Sequence, residues 1–105
     1  MDGRIDEMIT SGGENVFPQE VEDTLATHPD VVEAACLGVE DEEFGQRLRA
    51  FVVLRADAST SAAEAERVLQ DWVRRRLARY KVPREVVVLG ELPRNATGKV
   101  RKLDL

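Results

Sequence analysis

The sequence predicts an α+β domain: an N-terminal β-hairpin followed by a small, mainly three-stranded sheet flanked by helices. Three observations carry this expectation. Paired glycines, Gly12 and Gly13, sit between two short extended candidates, the arrangement of a tight hairpin turn. The runs Val31 to Val39 and Leu48 to Leu54 are rich in Val, Ala and Leu and partly alternate, as strands with one face on a core do. Apolar residues Ala65, Val68, Leu69, Trp72, Val73 and Leu77 recur at helical intervals.

Taken in order, Ile5 to Ile9 and Asn15 to Phe17 are the hairpin strands around Ser11-Gly12-Gly13-Glu14. Pro18 suits a first helical position, because its fixed backbone angle is helical and its missing N–H has no partner there in any case. With Glu20, Glu22 and Asp23 near the positive end and a Val21–Leu25 stripe, a helix over about 18 to 27 follows, stopping before Pro29. Asp41 to Gly45 is a polar connection between the two main strands, and Ala56 to Ala63 a loop. Ser61 and Glu64 have the spacing of a capping box, and the long helix they open is expected to run to Lys81, before Pro83, with Trp72 as its core anchor. Val86 to Leu89 is a short buried strand, and Gly90 to Gly98 a turn-rich loop leading to a basic tail.

A chain of 105 residues, 43% hydrophobic, can bury one core and no more, so 1–105 is expected to be one compact domain. Its one cysteine, Cys36, lies in an apolar run and reads as a buried reduced thiol, which fits a cytoplasmic protein. No window reaches the ~18 apolar residues of a membrane span, and no basic-then-apolar targeting pattern opens the chain. The patterned segment begins directly after Met1 and Asp2, which suits a break between domains. The net charge of −5 is unevenly spread: residues 1–73 carry 17 acids and 5 bases, residues 74–102 carry 2 acids and 10 bases. A cationic last third can serve a polyphosphate, a nucleic acid, a lipid surface or only solvent.

Two segments carry chemistry. Gly3-Arg4-Ile5-Asp6-Glu7-Met8-Ile9-Thr10-Ser11-Gly12-Gly13-Glu14-Asn15-Val16-Phe17-Pro18-Gln19-Glu20-Val21-Glu22 places a Gly-Gly turn where a ligand can approach backbone. Leu92-Pro93-Arg94-Asn95-Ala96-Thr97-Gly98-Lys99-Val100 presents a lysine from a glycine-bearing loop, where its charge can meet a developing phosphoryl transition state. It is not a Walker A loop: the first required glycine falls at Pro93, and Val100 stands where a Ser or Thr would hold magnesium. Taken singly, each segment is more readily a structural turn than a site.

In this order, at opposite ends of one chain, the two segments resemble the C-terminal domain of the AMP-forming acyl-CoA synthetases of the adenylate-forming superfamily, which also contains peptide-synthetase adenylation domains and luciferases. His28-Pro29-Asp30-Val31, Phe44-Gly45-Gln46 and Tyr80-Lys81-Val82-Pro83 are similar to further pieces of that domain. Ser-Gly-Gly-Glu-Asn-Val-Phe-Pro is closest to the CoA-using branch. The resemblance implies a two-step ligase that needs a large N-terminal domain holding most of the ATP site and the acyl pocket. ATP, giving AMP, and CoA are then substrates, with Mg accompanying ATP and not held by this domain, and no metal ligands are expected here.

It further implies Lys99 as the catalytic lysine of adenylation, Asp6 as the hinge of a domain rotation and Arg4 as a contact to the AMP ribose. Ser11, Gly12 and Gly13 would line the pantetheine tunnel. Phe44 and Tyr80 would lie near the CoA adenine, and Lys81 and Arg84 near its phosphates, although Val82 stands where some relatives carry a base. An acetyltransferase acting on Lys99 is a further implied partner, since acetylation removes the charge. The alternative reading is a free-standing binding or regulatory module with the same fold. A nucleic-acid partner is disfavoured, because the chain is acidic overall and lacks interleaved aromatic and basic residues.

Overall fold

The computed structural model describes residues 8–43, 45–98 and 100–105, with the backbone alone at Leu103. Strands β1 (Ile9–Ser11) and β2 (Glu14–Val16) form the expected hairpin, helix α1 covers Pro18–Ala26, and β3 (Val31–Asp41) and β4 (Gly45–Leu54) form a long antiparallel pair. Helix α2 (Ala62–Arg74), a 3-10 turn at Arg79–Lys81, β5 (Glu85–Val88) and a 3-10 turn at Lys102–Asp104 complete the chain. Residues 5–7 of the expected first strand lie outside the described residues.

β4 is the hub. β3 pairs along one side of it; on the other, β5 pairs in parallel from Arg49↔Glu85 to Val52↔Val88, and β1 joins through Ser11↔Gly45. The mixed sheet follows from the chain: β3 and β4 are joined by a short polar turn and run antiparallel, whereas β4 returns to β5 through α2, a crossover long enough for parallel pairing. Both main strands extend further toward their connecting turn than the apolar runs did, because Arg47, Gln46 and Glu40 still pair across the ladder.

Alternation along the strands makes two cores. Cys36, Leu48, Ala50, Val52 and Val86 face the helices, where they bury Val21 and Leu25 of α1 and Ala65, Leu69 and Val73 of α2. Ala35 and Phe51 face the other way and are covered by Leu92, with Val87, Leu89, Val100 and Leu105 around them. The sheet thus lies between a helical layer and the C-terminal segment.

Three expectations are corrected. Helix α2 ends at Arg74 instead of running to Lys81. Seven more helical residues would carry the chain about 10 Å along the axis, yet Pro83 is fully buried and Glu85 must pair with Arg49, so the chain leaves the helix early and Ala78 is extended. Ser61 caps the helix without a side-chain bond to the backbone; its hydroxyl instead donates to Glu64 Oε1 at 3.1 Å. Trp72 is half-buried, not a core anchor. Its indole N–H donates to Thr24 O and Thr27 Oγ1, each at 3.1 Å, its ring meets His28 edge-on at 4.6 Å, and the Arg76 guanidinium covers it at 3.3 Å. It clasps the C-terminal end of α1 to α2 at the surface.

Candidate functional site

The candidate residues fall at two ends of the sheet. At the hairpin end, Gly12 and Gly13 adopt φ of 59° and 86°, the left-handed region in which a side chain strains the backbone. The turn is open: a Cβ on Gly13 would meet nothing within 4 Å, so an extended ligand could lie against its backbone. Gln46 Oε1 accepts the Thr10 N–H at 3.0 Å and ties the hairpin to β4 beside the Ser11↔Gly45 bridge.

The 3-10 turn at Arg79–Lys81 packs against β2. It leaves Tyr80 42% exposed. Lys81 Nζ lies 2.7 Å from Glu20 Oε1 and 5.8 Å from the Tyr80 ring centre; the hydrogen bond to Glu20 raises the lysine's pKa and keeps it charged. Arg84, exposed, donates its backbone N–H to Leu48 O at 2.9 Å. Its side chain shares with Arg74 and Arg79 a cationic groove of about 420 Å³ floored by Gln70, Val82 and Pro83. Arg74 and Arg79 were missed in the sequence; the groove exists because α2 stops at Arg74 and the chain turns back on itself.

At the far end, Pro93 to Arg101 closes a tight loop. Arg94 and Val100 form an antiparallel bridge, Gly98 donates its N–H to Asn95 O at 3.0 Å, and Arg101 donates to Pro93 O at 2.7 Å. Asn95 Oδ1 accepts both the Thr97 N–H at 2.9 Å and its hydroxyl at 2.7 Å, an Asx turn that sets the chain for Gly98 at φ 86°. Arg94 is a third residue the sequence alone did not single out: it donates to Gly98 O at 2.8 Å and forms an ion pair with Glu33 of β3.

Ser11, Gly12, Gly13, Tyr80 and Lys81 therefore share the hairpin end, with Arg84 close by. Arg4, Asp6, Phe44 and Lys99 lie outside the described residues, although both neighbours of Phe44 and of Lys99 are described. On β3, Asp41 faces Gly45 beside the hairpin, and Glu33 holds the loop of Arg94 to Val100. Eight residues of strand separate them, about 27 Å at ~3.4 Å per residue. Among the described residues, no group of three or more His, Cys, Asp or Glu is placed to hold a metal ion, and no helix is long and apolar enough to cross a membrane.

The fold is thus a hairpin-headed α+β domain with an open Gly-Gly turn at one end and a tight, glycine-bearing loop at the other. Residues 20–99 match the family described as the AMP-binding enzyme C-terminal domain. The chain is 47% identical over 105 residues to indoleacetate–CoA ligase of Aromatoleum aromaticum, covering 100% of itself and 20% of that protein. It is 48% identical over 102 residues to 2-succinylbenzoate–CoA ligase of Geobacillus kaustophilus, again 20% of the relative. Among solved structures, the Mycobacterium tuberculosis fatty acyl CoA synthetase superimposes with a TM-score of 0.85 at 40% identity, over 96% of this chain and 19% of that one. The chain belongs to the AMP-binding enzyme C-terminal domain family of the adenylate-forming superfamily, and spans about a fifth of the length of the curated relatives it matches.

Proposed function

We propose that this chain serves both half-reactions of an AMP-forming acyl-CoA ligase, each from a different end and together with a large N-terminal domain. In the first, a carboxylate oxygen attacks the α-phosphorus of ATP and pyrophosphate leaves; in the second, the CoA thiolate attacks the acyl carbonyl and AMP leaves. The single observation that carries this reading is that the hairpin turn lies by Asp41 and the Arg94 side of the Lys99 loop by Glu33, at opposite ends of β3 and about 27 Å of extended strand apart. One docked orientation cannot bring both to the same reacting atoms, so reorientation about Asp6 would serve each in turn.

In the adenylation orientation, Lys99 places positive charge on the negative charge developing at the α-phosphate, and Arg4 holds the AMP ribose. Mg arrives with ATP as part of the substrate. In the thioester orientation, the backbone of Ser11, Gly12 and Gly13 lines the path of the pantetheine arm, where the two glycines' lack of side chains leaves room for it. The exposed Tyr80, with Phe44, offers a face to adenine. Arg84 and its groove partners Arg74 and Arg79 offer guanidinium forks for phosphate. Lys81 shares its ammonium with Glu20 and keeps donors to spare. Acetylation of Lys99 would switch off the first half-reaction alone by removing its charge.

The test measures the two halves separately in the full-length ligase carrying this domain. Lys99→Ala should lower pyrophosphate–ATP exchange by roughly 10²-fold or more and leave thioester formation from preformed acyl-adenylate nearly intact. Gly12→Asn, which tolerates the left-handed backbone but adds bulk to the turn, should do the opposite. Equal loss of both halves in either variant, or of neither, rejects the two-ended reading and favours a non-catalytic module.

A further inference from the structure

The loop around Lys99 is held to the sheet by charged contacts that the two-step chemistry does not itself require. β3 is an edge strand of the sheet, and two carboxylates stand along it. Glu33 faces the same side of the sheet as Phe51 and forms an ion pair with Arg94. Arg94 in turn donates to Gly98 O at 2.8 Å, the carbonyl immediately before Lys99. Glu22 of α1 reaches round the same edge: its Oε2 accepts the outward-facing Cys36 N–H at 2.7 Å and the Lys102 ammonium at 2.7 Å. Of these side chains Glu22 is the most buried, 12% exposed, so its pair with Lys102 is shielded from solvent more than a surface ion pair is. One carboxylate thus holds the chain five residues before Lys99 and the other three residues after it.

We propose that Glu33, acting through Arg94, and Glu22, acting through Lys102, are positioning residues that fix the loop presenting Lys99 for adenylation. The inference rests on the proposed role of Lys99. Its geometry is specific. A guanidinium is planar and carries several donors, so one group can satisfy the Glu33 carboxylate and the Gly98 carbonyl together; an ammonium on a flexible stem cannot hold both in a fixed relation. Small displacements matter at such a site, because a shift of ~1 Å in a catalytic group costs about 10²-fold in rate. Apolar contacts of Leu92, Val100 and Leu105 also fasten this segment, and the variants below separate their contribution from that of the charges.

Two measurements test it. In the 105-residue chain, hydrogen exchange of the Gly98 and Arg101 amides should quicken several-fold in Glu33→Gln, while the Ala50 and Val52 amides of β4 keep their protection. Unchanged loop exchange, or uniform quickening throughout, overturns the brace whatever Lys99 does. In the full-length ligase, Glu33→Gln and Arg94→Lys should each lower the kcat of pyrophosphate–ATP exchange by roughly 10- to 100-fold with the KM for ATP little changed and thioester formation from preformed adenylate within about twofold. Glu22→Gln should act in the same direction. Equal loss in both halves marks a merely structural role, and wild-type exchange in Arg94→Lys shows that charge alone suffices; either overturns the proposal. If Lys99→Ala itself leaves adenylation intact, the assigned chemistry has failed, and the hydrogen-exchange result still judges the brace.

Discussion

Glycine positions show how unevenly single residues can be read. Gly12 and Gly13 announce themselves by adjacency, and the positive φ they adopt is the conformation that only such residues take cheaply. Gly38 gives no such signal. It sits inside β3 with nothing unusual beside it, yet a Cβ there would lie 2.4 Å from Ile9 Cγ2 and 3.2 Å from Ile9 Cβ. The absent side chain makes room for the β1 strand, and because Ile9 is β-branched it has little freedom to move aside. Gly38→Ala should therefore cost about 1–3 kcal/mol and loosen the hairpin. Gly90→Ala, with open space around the new methyl, should be neutral or stabilising by up to ~1 kcal/mol. Urea denaturation of both variants checks this pair, and equal costs would remove the assigned role of Gly38. The requirement at Gly38 comes from a residue far off in sequence, which no local pattern reports. Arg94 is invisible for the same reason, since its partner Glu33 lies on another element.

At the scale of elements, the hairpin, α1, the β3–β4 pair and β5 were legible because each is specified by a local pattern: paired glycines, an N-terminal proline, alternation, a short apolar run. The end of α2 was not, because it is set by where β5 must pair and by the burial of Pro83. The β4–β5 junction shows the same dependence on tertiary structure. Glu85 stands between two arginines of β4, with Arg47 Nε at 2.7 Å and Arg49 Nη2 at 3.2 Å. Hydrogen bonding from Arg47, above all, with Arg49 adding to it, holds the Glu85 carboxyl below its ordinary 4.5. A carboxylate whose pKa is depressed on folding stabilises the fold above its unfolded pKa, and that contribution is lost as pH falls through the lower folded value. Asp30, lowered chiefly by the Thr60 hydroxyl, acts on the same acid limb from an ordinary 3.8. Glu85→Gln should thus cost on the order of 1 kcal/mol at pH 7, the three side chains being part-exposed. The difference from the parent chain should shrink to nothing once pH drops well below 4.5. Thermal melts across pH 7 to 3 decide it: a gap that persists at the acid end would place the cost in packing and not in charge.

Over the whole molecule, the sheet has two unequal covers, and that inequality bears on how the chain would work. Among the described residues, the helical cover buries Val21, Leu25, Ala65, Leu69 and Val73 against the sheet, whereas the C-terminal cover buries Leu92 on Ala35 and Phe51, with partly exposed residues around it. Hydrophobic stabilisation scales with apolar area removed from water, so the segment from Leu89 to Leu105 is the less firmly held. Cooperative units of differing stability open separately in native proteins, and the one with less buried apolar surface opens first. The Arg101 and Gly98 amides should therefore exchange through a sub-global opening, at a free energy below that of global unfolding, while the Ala50 and Val52 amides of the hub strand exchange only with the whole. The charged contacts of Arg94 and Lys102 then matter more than surface ion pairs usually do, because they add to the weaker cover instead of the stronger. Native-state hydrogen exchange with increasing denaturant separates the two cases. If the loop and the hub strand merge into one isotherm at low denaturant, the C-terminal segment is as much a part of the cooperative core as the helices, and its assignment as a separately fastened element fails.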